Sequence, residues 1–513
     1  MEGSSVDSGK IKLRFANSKI PKDLSTFVDF LTPTLKKMQS SKDYETPFAS
    51  LDLVEDESNL KKCREVEEKV SSLSVLIVIG IGGSNLGTMA VYEAMKAKNK
   101  NLKELIFADT TDSFLIEDII EEMKQLHAQG EEIGINVVTK SGTTTETIAN
   151  FYILYEALGV ILSNENNEQL HKDNEEDKSE KIENKNSQND KENSEKGNSN
   201  KEDEVGSIEE GEKNFEGNEN EINEEASTKN EVGNDIENAQ KLSLNERVII
   251  TTDKGSKLEL VANLKGFHIL PIPQLVGGRY SVLSNVGLFP LSFAGVECGE
   301  LLRGAKDIKH QCMKINDNNP ALMSASAIYN SYKQDKKIVN MFLFSKYLNN
   351  LGAWYRQLFA ESLGKKMNAN NSKEVRSGMM PMYSIGSTDL HSVAQLFLGG
   401  PNMTYHSFVT IENTSMINFT IPQGFESLIP SIENKTLDDI MKAIYGGVEK
   451  AFINENISFD NFHIKELDEY SIGALMQFKM IEVMLLGSLF GVNPFDQPSV
   501  ELYKQETRKL IGE

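Results

Sequence analysis

Apolar residues in this chain gather into short unbroken runs, each ending in a turn rich in glycine or hydroxyl side chains. Val75-Leu76-Ile77-Val78-Ile79 is one such run, and continuous apolarity over this length predicts a strand buried on both faces of a parallel sheet. It ends in Gly80-Ile81-Gly82-Gly83-Ser84-Asn85-Leu86-Gly87, and a helix through Ala90 to Lys96 follows. Leu105-Ile106-Phe107-Ala108 leads by way of Asp109-Thr110-Thr111-Asp112 to a helix carrying Ile116, Ile119, Ile120 and Met123. Ile135-Asn136-Val137-Val138 runs into Thr139-Lys140-Ser141-Gly142-Thr143-Thr144-Thr145-Glu146-Thr147, and a helical stretch from Ile148 to Leu154 comes next. Strands alternating with helices at this spacing predict βαβ units and a parallel sheet.

The same pattern returns at Arg247-Val248-Ile249-Ile250 and, after a short helix, at Phe267-His268-Ile269-Leu270. Helices are expected over roughly 283–333. A second α/β region begins with Ile338 to Phe344 and continues through a helix over Leu348–Ala360, a strand over Met380–Ile385, a helix from Asp389 and a strand over Thr404–Ile411. Late helices are expected over Thr436–Ala451, Tyr470–Phe490 and Glu501–Ile511. Residues 1–50 show weak amphipathic patterning (Phe27, Phe30, Leu31, Leu35) and read as a helical lead-in. The fold class is α/β, with two regions of similar kind.

The tract from about 164 to 240 breaks the pattern. It is built from Asn, Glu, Lys, Ser and Asp, with isolated apolar residues such as Ile182, Val205, Phe215 and Ile222. From Glu165 to Glu237 there are about 25 acidic and about 9 basic side chains, so most of the net charge of −23 lies in this one segment. It cannot bury enough apolar area to offset its ordering entropy, so disorder is expected. It interrupts one α/β domain and does not separate two. It also explains much of the low apolar content, 39% of 513 residues.

The remainder is mildly acidic, which argues against nucleic acid or an anionic membrane surface as a partner. Cys63, Cys298 and Cys312 are far apart and in no metal spacing, as in a cytoplasmic protein with reduced thiols. The N-terminus shows no secretory pattern. The most apolar late stretch, Met480 to Val492, is interrupted by Glu482 and reads as too short to span a bilayer.

The Thr139–Thr147 turn carries six hydroxyls, one glycine and one lysine between a strand and a helix. Backbone N–H groups and the positive helix end at such a turn favour an anion such as phosphate, although a threonine-rich capping turn would explain the same residues. The Gly80–Gly87 loop supplies the first two glycines of a dinucleotide fingerprint but places Asn85 at the third. Asp109 lies at a suitable distance for a ribose contact, so NAD stays an alternative. No Lys-Ser/Thr pair follows the glycines, so the loop is not a Walker A motif. Two such turns in one sheet would face one crevice, and their convergence strengthens the phosphate reading. Glu361 ends an apolar helical stripe of Trp354, Leu358 and Phe359, at the helix end the dipole makes less favourable for an anion. His391 and Lys504 each have ordinary structural readings, and the histidines show no metal-ligand spacing.

The strings GIGGSNLG, TKSGTTTET, GGRYSVLSNVG, WYRQLFAESLGKK, GSTDLHS and FDQPSVELYK occur in this order. Together they resemble the glucose-6-phosphate isomerase family, particularly its bacterial type, from about residue 47 to the C-terminus outside the acidic tract. The resemblance implies two sugar-isomerase (SIS) domains, each a parallel α/β/α sandwich, with helical N- and C-terminal extensions. The implied boundaries are a lead-in over 1–46, a first SIS domain over 47–282 containing the 164–240 insertion, a second over 283–490, and a C-terminal active-site segment over 491–513. It implies that Ser84, Thr139, Lys140, Ser141 and Thr144 hold the sugar phosphate, with the Gly83 backbone nearby. Glu361 would move a proton between C2 and C1, Arg279 would stabilise the enediolate, His391 and Lys504 would assist ring opening, and Gln497 would contact the substrate. The implied assembly is a homodimer with His391 entering the neighbouring subunit's site, and no cofactor or metal is implied.

Two positions depart from the family pattern. Thr139 stands where serine is usual and keeps the hydroxyl. Ser499 stands where glycine is usual and would be strained if the backbone there needed positive φ. One base, one fixed guanidinium and a distant phosphate clasp suit aldose–ketose isomerisation. A dual phosphoglucose/phosphomannose isomerase on the same fold and a SIS-domain sugar-phosphate-binding regulator are the alternatives; the regulator would need the two phosphate turns but not Glu361, Arg279, His391 and Lys504 together.

Overall fold

The computed structural model of the chain describes residues 5–7, 10–16, 24–164, 242–413, 417, 419–424 and 428–512. Two units are distinguished, one of Met1–Leu158 with Leu242–Glu513 and one of Gly159–Lys241. The second is described over 159–164 alone, which are helical. The expectation of disorder over 164–240 therefore falls, from 165 on, outside the described residues.

The larger unit holds two principal sheets. Two N-terminal strands, β1 (Ser5–Asp7) and β2 (Ile11–Ala16), belong to the second of them. The first sheet consists of β3 (Val75–Ile79), β4 (Glu104–Ala108), β5 (Ile133–Val138), β6 (Val248–Asp253) and β7 (His268–Ile272). Every residue of β3 and β5 is buried, as their unbroken apolar runs require. All pairings are parallel, with Ile77 of β3 beside Ile106 on one side and Ile135 on the other.

The strand order is β4-β3-β5-β6-β7. The chain leaves β3 for one side of the sheet and then returns across it to β5. The carboxyl ends of β3 and β5 thus flank a topological switch point, where open α/β sheets hold their ligands. The two turns that leave there are the glycine loop after Ile79 and the hydroxyl-rich turn after Val138. The Leu86–Lys96 helix packs against the Asn285–Ala294 helix, which in turn meets the Ser58–Lys69 helix.

The second sheet is built from β8 (Ile338–Leu343), β11 (Met380–Ile385), β12 (Thr404–Asn413) and β13 (Phe459–Glu466), with a small hairpin of β9 (Lys365–Met367) and β10 (Glu374–Ser377) beside it. Its order is β1-β2-β13-β12-β8-β11. The four strands β13, β12, β8 and β11 are parallel, whereas β2 runs antiparallel to β13 and β1 antiparallel to β2. The sheet is mixed, and the N-terminal lead-in is not wholly helical. Ile11, Leu13 and Phe15 are buried while Lys12 is exposed, so the short alternation is a strand signal that the weak helical reading overlooked. The Ser25–Gln39 helix follows, as expected.

β13 was not expected either. Its sequence, Phe459-Asp460-Asn461-Phe462-His463-Ile464-Lys465-Glu466, carries polar residues at buried positions. Asp460 is compensated by hydroxyls, accepting from Ser407 at 2.6 Å, Tyr405 at 3.0 Å and Ser324 at 3.1 Å. The helix expected from Asp389 is a 3₁₀ turn, Thr388–His391, followed by a short helix, Ala394–Gly399.

The Glu469–Phe490 helix corrects a further expectation. It has 22 residues and is the one described helix long and apolar enough to cross a membrane. It is nearly all buried within the protein, against the Cys298–Cys312 and Pro320–Lys333 helices. Glu482 does not interrupt it, because Lys479 one turn earlier reaches its carboxylate at 2.9 Å. A lone buried charge would be strongly destabilising, and the pairing is what lets both residues sit inside. The three cysteines are free and buried, and burial pushes each thiol pKa up.

Candidate active site

The site begins where two backbone turns touch. A Cβ built on Gly83 would lie 2.3 Å from the carbonyl carbon of Gly278 and 2.5 Å from the Arg279 nitrogen. Only glycine allows the loop after β3 to rest on the Gly278–Tyr280 3₁₀ turn. That turn carries Arg279, whose residue exposure is 2%.

The guanidinium finds an acceptor for each of its directions. Nε donates to Ser362 Oγ at 2.8 Å. One Nη1 serves Glu361 Oε2 at 3.1 Å and Gln497 Oε1 at 2.9 Å, and Nη2 serves the carbonyls of Pro494 at 2.6 Å and Asp496 at 3.1 Å. Trp354 Nε1 donates to the Arg279 carbonyl at 3.2 Å. The arginine is thus fixed by two other chain segments, the Asn349–Leu363 helix and residues 494–497.

Glu361 lies near the end of the Asn349–Leu363 helix, whose Trp354, Leu358 and Phe359 are buried and set the direction of its polar face. Its second oxygen accepts from Gln357 Nε2 at 3.1 Å, one helical turn back. The Glu361 side chain keeps 30% of its surface exposed, so the carboxylate is held but open to the site. Gln497 comes from the segment after the long buried helix. Lys365 anchors that segment by donating to the Asp496 carbonyl and to its Oδ1 at 2.9 Å.

The hydroxyl-rich turn lies at the end of β5. Thr139 is buried with its hydroxyl 2.9 Å from that of Thr144, and Ser141 Oγ accepts from the Thr143 backbone at 3.2 Å. Gly142 takes a φ of 68°, a left-handed bend that favours glycine. Residues 145–164 then form a helix. A cleft of about 430 Å³ separates this turn from the Val500–Leu510 helix; Ser141, Thr143 and Thr144 line one wall, Lys504 and Arg508 the other. Lys504 is ion-paired to Glu501 at 3.0 Å.

Lys140 points away from that cleft, donating to the Gln274 carbonyl at 2.5 Å. Burial lowers its pKa, partly opposed by Asp253. Burial pushes the Asp253 carboxyl up to about 6, against the opposing pull of Lys140. Ser84 is half-exposed and makes no side-chain hydrogen bond within the described residues. Ser499 has a φ of −69°, so the feared strain at that position is absent.

The structure therefore brings Arg279, Glu361 and Gln497 into direct contact, sets Gly83 against their turn, and gathers Ser141, Thr144 and Lys504 around one cleft. His391 is exposed on the Thr388–His391 turn, and no hydrogen bond or ion pair joins it to that group among the described residues. Sequence reasoning missed Gln357, Ser362 and Lys365. Gln357 was findable as the residue four before Glu361 on one helix face; the Lys365–Asp496 contact had no local signal. Among the described residues no group of three or more His, Cys, Asp or Glu side chains is placed to hold a metal ion. Chemically, the arrangement offers an open carboxylate beside a buried, rigid cation, with a cleft lined by hydroxyls, by Lys504 and Arg508, and by the carboxylates of Glu146 and Glu501.

Residues 61–179 and 212–513 match the family described as phosphoglucose isomerase. A protein named probable glucose-6-phosphate isomerase from Methanococcus maripaludis is 26% identical over 90% of this chain and 84% of its own length. A glucose-6-phosphate isomerase from Carboxydothermus hydrogenoformans is 28% identical over 88% of this chain and 81% of its own. Among solved structures, a hypothetical protein of Thermus thermophilus superposes with a TM-score of 0.73 at 24% identity, covering 98% of this chain and all of that one. A glucose-6-phosphate isomerase of Chlamydia trachomatis superposes with a TM-score of 0.71 at 18% identity, covering 99% of this chain and 89% of the other.

Proposed function

The chain belongs to the phosphoglucose isomerase family, and we propose how its own residues carry out the aldose–ketose isomerisation of glucose 6-phosphate and fructose 6-phosphate. One observation carries the assignment of roles: the exposed carboxylate of Glu361 is bonded to a guanidinium that is itself buried and bonded on every side. Glu361 is the base that takes the C2 proton of the open-chain aldose and returns it to C1. As the proton leaves, negative charge develops on the oxygen of the former carbonyl, and Arg279 holds the resulting enediolate. With its five N–H groups held by protein acceptors at 2.6–3.1 Å, the guanidinium is a fixed positive charge that stabilises the enediolate through space, and the Nη1 N–H now on Glu361 becomes free to donate as that carboxylate turns to the substrate. The proton count balances, since C2 loses one proton, C1 gains one, and a hydroxyl proton moves between O2 and O1.

Ser84, Ser141 and Thr144, with the backbone beside Gly83, hold the phosphate at the switch point. Thr139 supports Thr144 through their hydroxyl contact, and Lys140 contributes charge from behind the turn. Gln497, held by Arg279, contacts the sugar hydroxyls. Lys504 stands on the wall facing Ser141 and assists ring opening. His391 serves the same step from the neighbouring subunit of a homodimer; its exposure, with no hydrogen bond or ion pair among the described residues, supports that placement. The buried free thiols support a cytoplasmic location.

Incubation with [2-²H]glucose 6-phosphate tests the mechanism. The expected result is ketose formed with partial loss of label to solvent. Binding without turnover, or ketose that retains all label at C1 under exchange conditions, would overturn the enediolate route through Glu361.

A further inference from the structure

A second cavity, of about 610 Å³, opens at the carboxyl ends of β12 and β13, beside Phe344 at the end of β8. It exceeds the cleft beside Thr144 in volume, yet the isomerisation described above makes no use of it. Ligands of open α/β sheets bind outside the carboxyl ends of the strands, so the second sheet presents a site where the fold commonly has one.

Its lining has a definite charge. Lys10, Lys12, Lys442 and Lys465 border the cavity, against the carboxylates of Glu412 and Asp438. Lys10 is engaged by Asp468 at 3.0 Å. Lys442 and Lys465, from the Leu437–Asn454 helix and β13, have no ion-pair partner among the described residues. This basic balance sits in a chain whose net charge is −23. The floor is apolar and aromatic: Phe344 and Ile411 are buried, and the Phe344 and Tyr445 rings meet edge to face at 5.1 Å. Between floor and lysines stands His463, whose Nδ1 lies 2.9 Å from Thr410 Oγ1.

We propose that this cavity is a second binding site, taking a small phosphate monoester whose body rests on the Phe344–Tyr445 floor. The ammonium groups of Lys442 and Lys465, without an ion-pair partner among the described residues, match a dianion, and Lys engages phosphate as a point charge. A cavity of this size with an apolar lining and a few convergent polar groups is of the kind that holds a small metabolite. The Thr410–His463 pair supplies neutral hydrogen-bonding groups for the hydroxyls or ring nitrogens of the ester's body.

Isothermal titration of the full chain with adenosine monophosphate, ribose 5-phosphate and inorganic phosphate tests the site. Three proteins are compared: the natural sequence, Lys442→Glu/Lys465→Glu, and Ser141→Ala/Thr144→Ala. At least one ester should bind the natural sequence and the Ser141/Thr144 variant alike, and bind the lysine variant at least about tenfold more weakly. Stronger binding of the nucleotide would assign the floor to a base, and stronger binding of ribose 5-phosphate would assign it to a sugar. The lysine variant should keep its turnover of glucose 6-phosphate. Should it melt early, Lys442→Gln/Lys465→Gln replaces it with the same expectation. No ester bound below about 1 mM, equal affinity in the lysine variants, or loss of binding in the Ser141/Thr144 variant instead would overturn the proposal.

Discussion

Arg279 and Glu361 form an ion pair with one rigid half and one open half. Nη1 of the arginine lies 3.1 Å from the carboxylate, and the guanidinium side chain is 1% exposed where that of the glutamate is 30% exposed. The remaining donors of Arg279 are taken by Ser362, Gln497 and the carbonyls of Pro494 and Asp496. Of the pair, Glu361 is therefore the half with room to move, with Gln357 one turn back as its other tether.

Glu361→Gln keeps the shape and the bond from Arg279, with the Gln357 amide turned so that its Oε1 accepts from the new NH2, but cannot take up a proton. Turnover should fall at least about a hundredfold, the low end for loss of a general base, while KM changes little. Steady-state kinetics in both directions measure this, and near-normal kcat would remove Glu361 from the role of base.

Two glycines should respond oppositely to alanine. At Gly83 the new methyl would meet the backbone of Gly278 and Arg279, which cannot move aside without shifting the Arg279 turn. Gly83→Ala should lower stability by about 1–3 kcal/mol through overpacking and reduce kcat sharply. Gly447 lies inside the Leu437–Asn454 helix, and a methyl there meets nothing within 4 Å. Gly447→Ala should raise stability by about 0.5–1 kcal/mol through loss of unfolded-state freedom. Denaturant midpoints of the two variants, bracketing that of the natural sequence, check the pair of predictions; a Gly83→Ala protein as stable and active as the natural one would contradict the close approach.

Asp253 should leave a pH signature. Its carboxyl is pushed up from 3.8 to about 6 on folding, chiefly by burial, and its Oδ1 has no partner. The folded state thus holds the proton more tightly than the unfolded state. The stabilisation is fully present below about pH 3.8 and is lost as pH rises to about 6, because there the folded state binds more protons. Asp253→Asn lacks this titration. The melting temperature of the natural protein minus that of the variant should fall between pH 4 and 6 and stay level above, with a small amplitude since the group is partly exposed. A difference that does not vary over that range would refute the shifted carboxyl.

The first sheet was legible in the sequence because its strands are buried on both faces and so read as unbroken apolar runs between turns. β13 was illegible for the converse reason: Asp460 and Asn461 look like solvent residues until Ser407, Tyr405 and Thr410 from the neighbouring strand are seen to satisfy them. Glu482 looked like a break in an apolar stretch, and only the helical spacing from Lys479 turns it into half of a buried pair. The hydroxyl-rich turn after β5 was visible in local composition. The Arg279–Glu361–Gln497 contact was not, since its members lie in three distant segments and no local pattern reports which segments meet; the family resemblance supplied them as a group. His391 stands exposed, and no local pattern in Gly386-Ser387-Thr388-Asp389 reports what it faces.

The acidic tract bears on how the molecule comes together as well as on what surrounds it. β5 and β6 are adjacent, with Val137 opposite Ile250, yet roughly 110 positions separate them in the unfolded chain, where a βαβ unit spans about 30. Loop-closure entropy grows by about 0.6 kcal/mol per doubling, so joining these strands costs about 1 kcal/mol more than an ordinary crossover. That term falls on one step alone. β3, β4 and β5 are close in sequence and can pair early, while β6 and β7 arrive as a late addition from the far side of the tract. The hydroxyl-rich turn emerges from β5, and the Thr139 backbone donates to the Thr251 carbonyl of β6. The contact that ties the Thr139 turn to β6 therefore closes the longest loop in the first sheet.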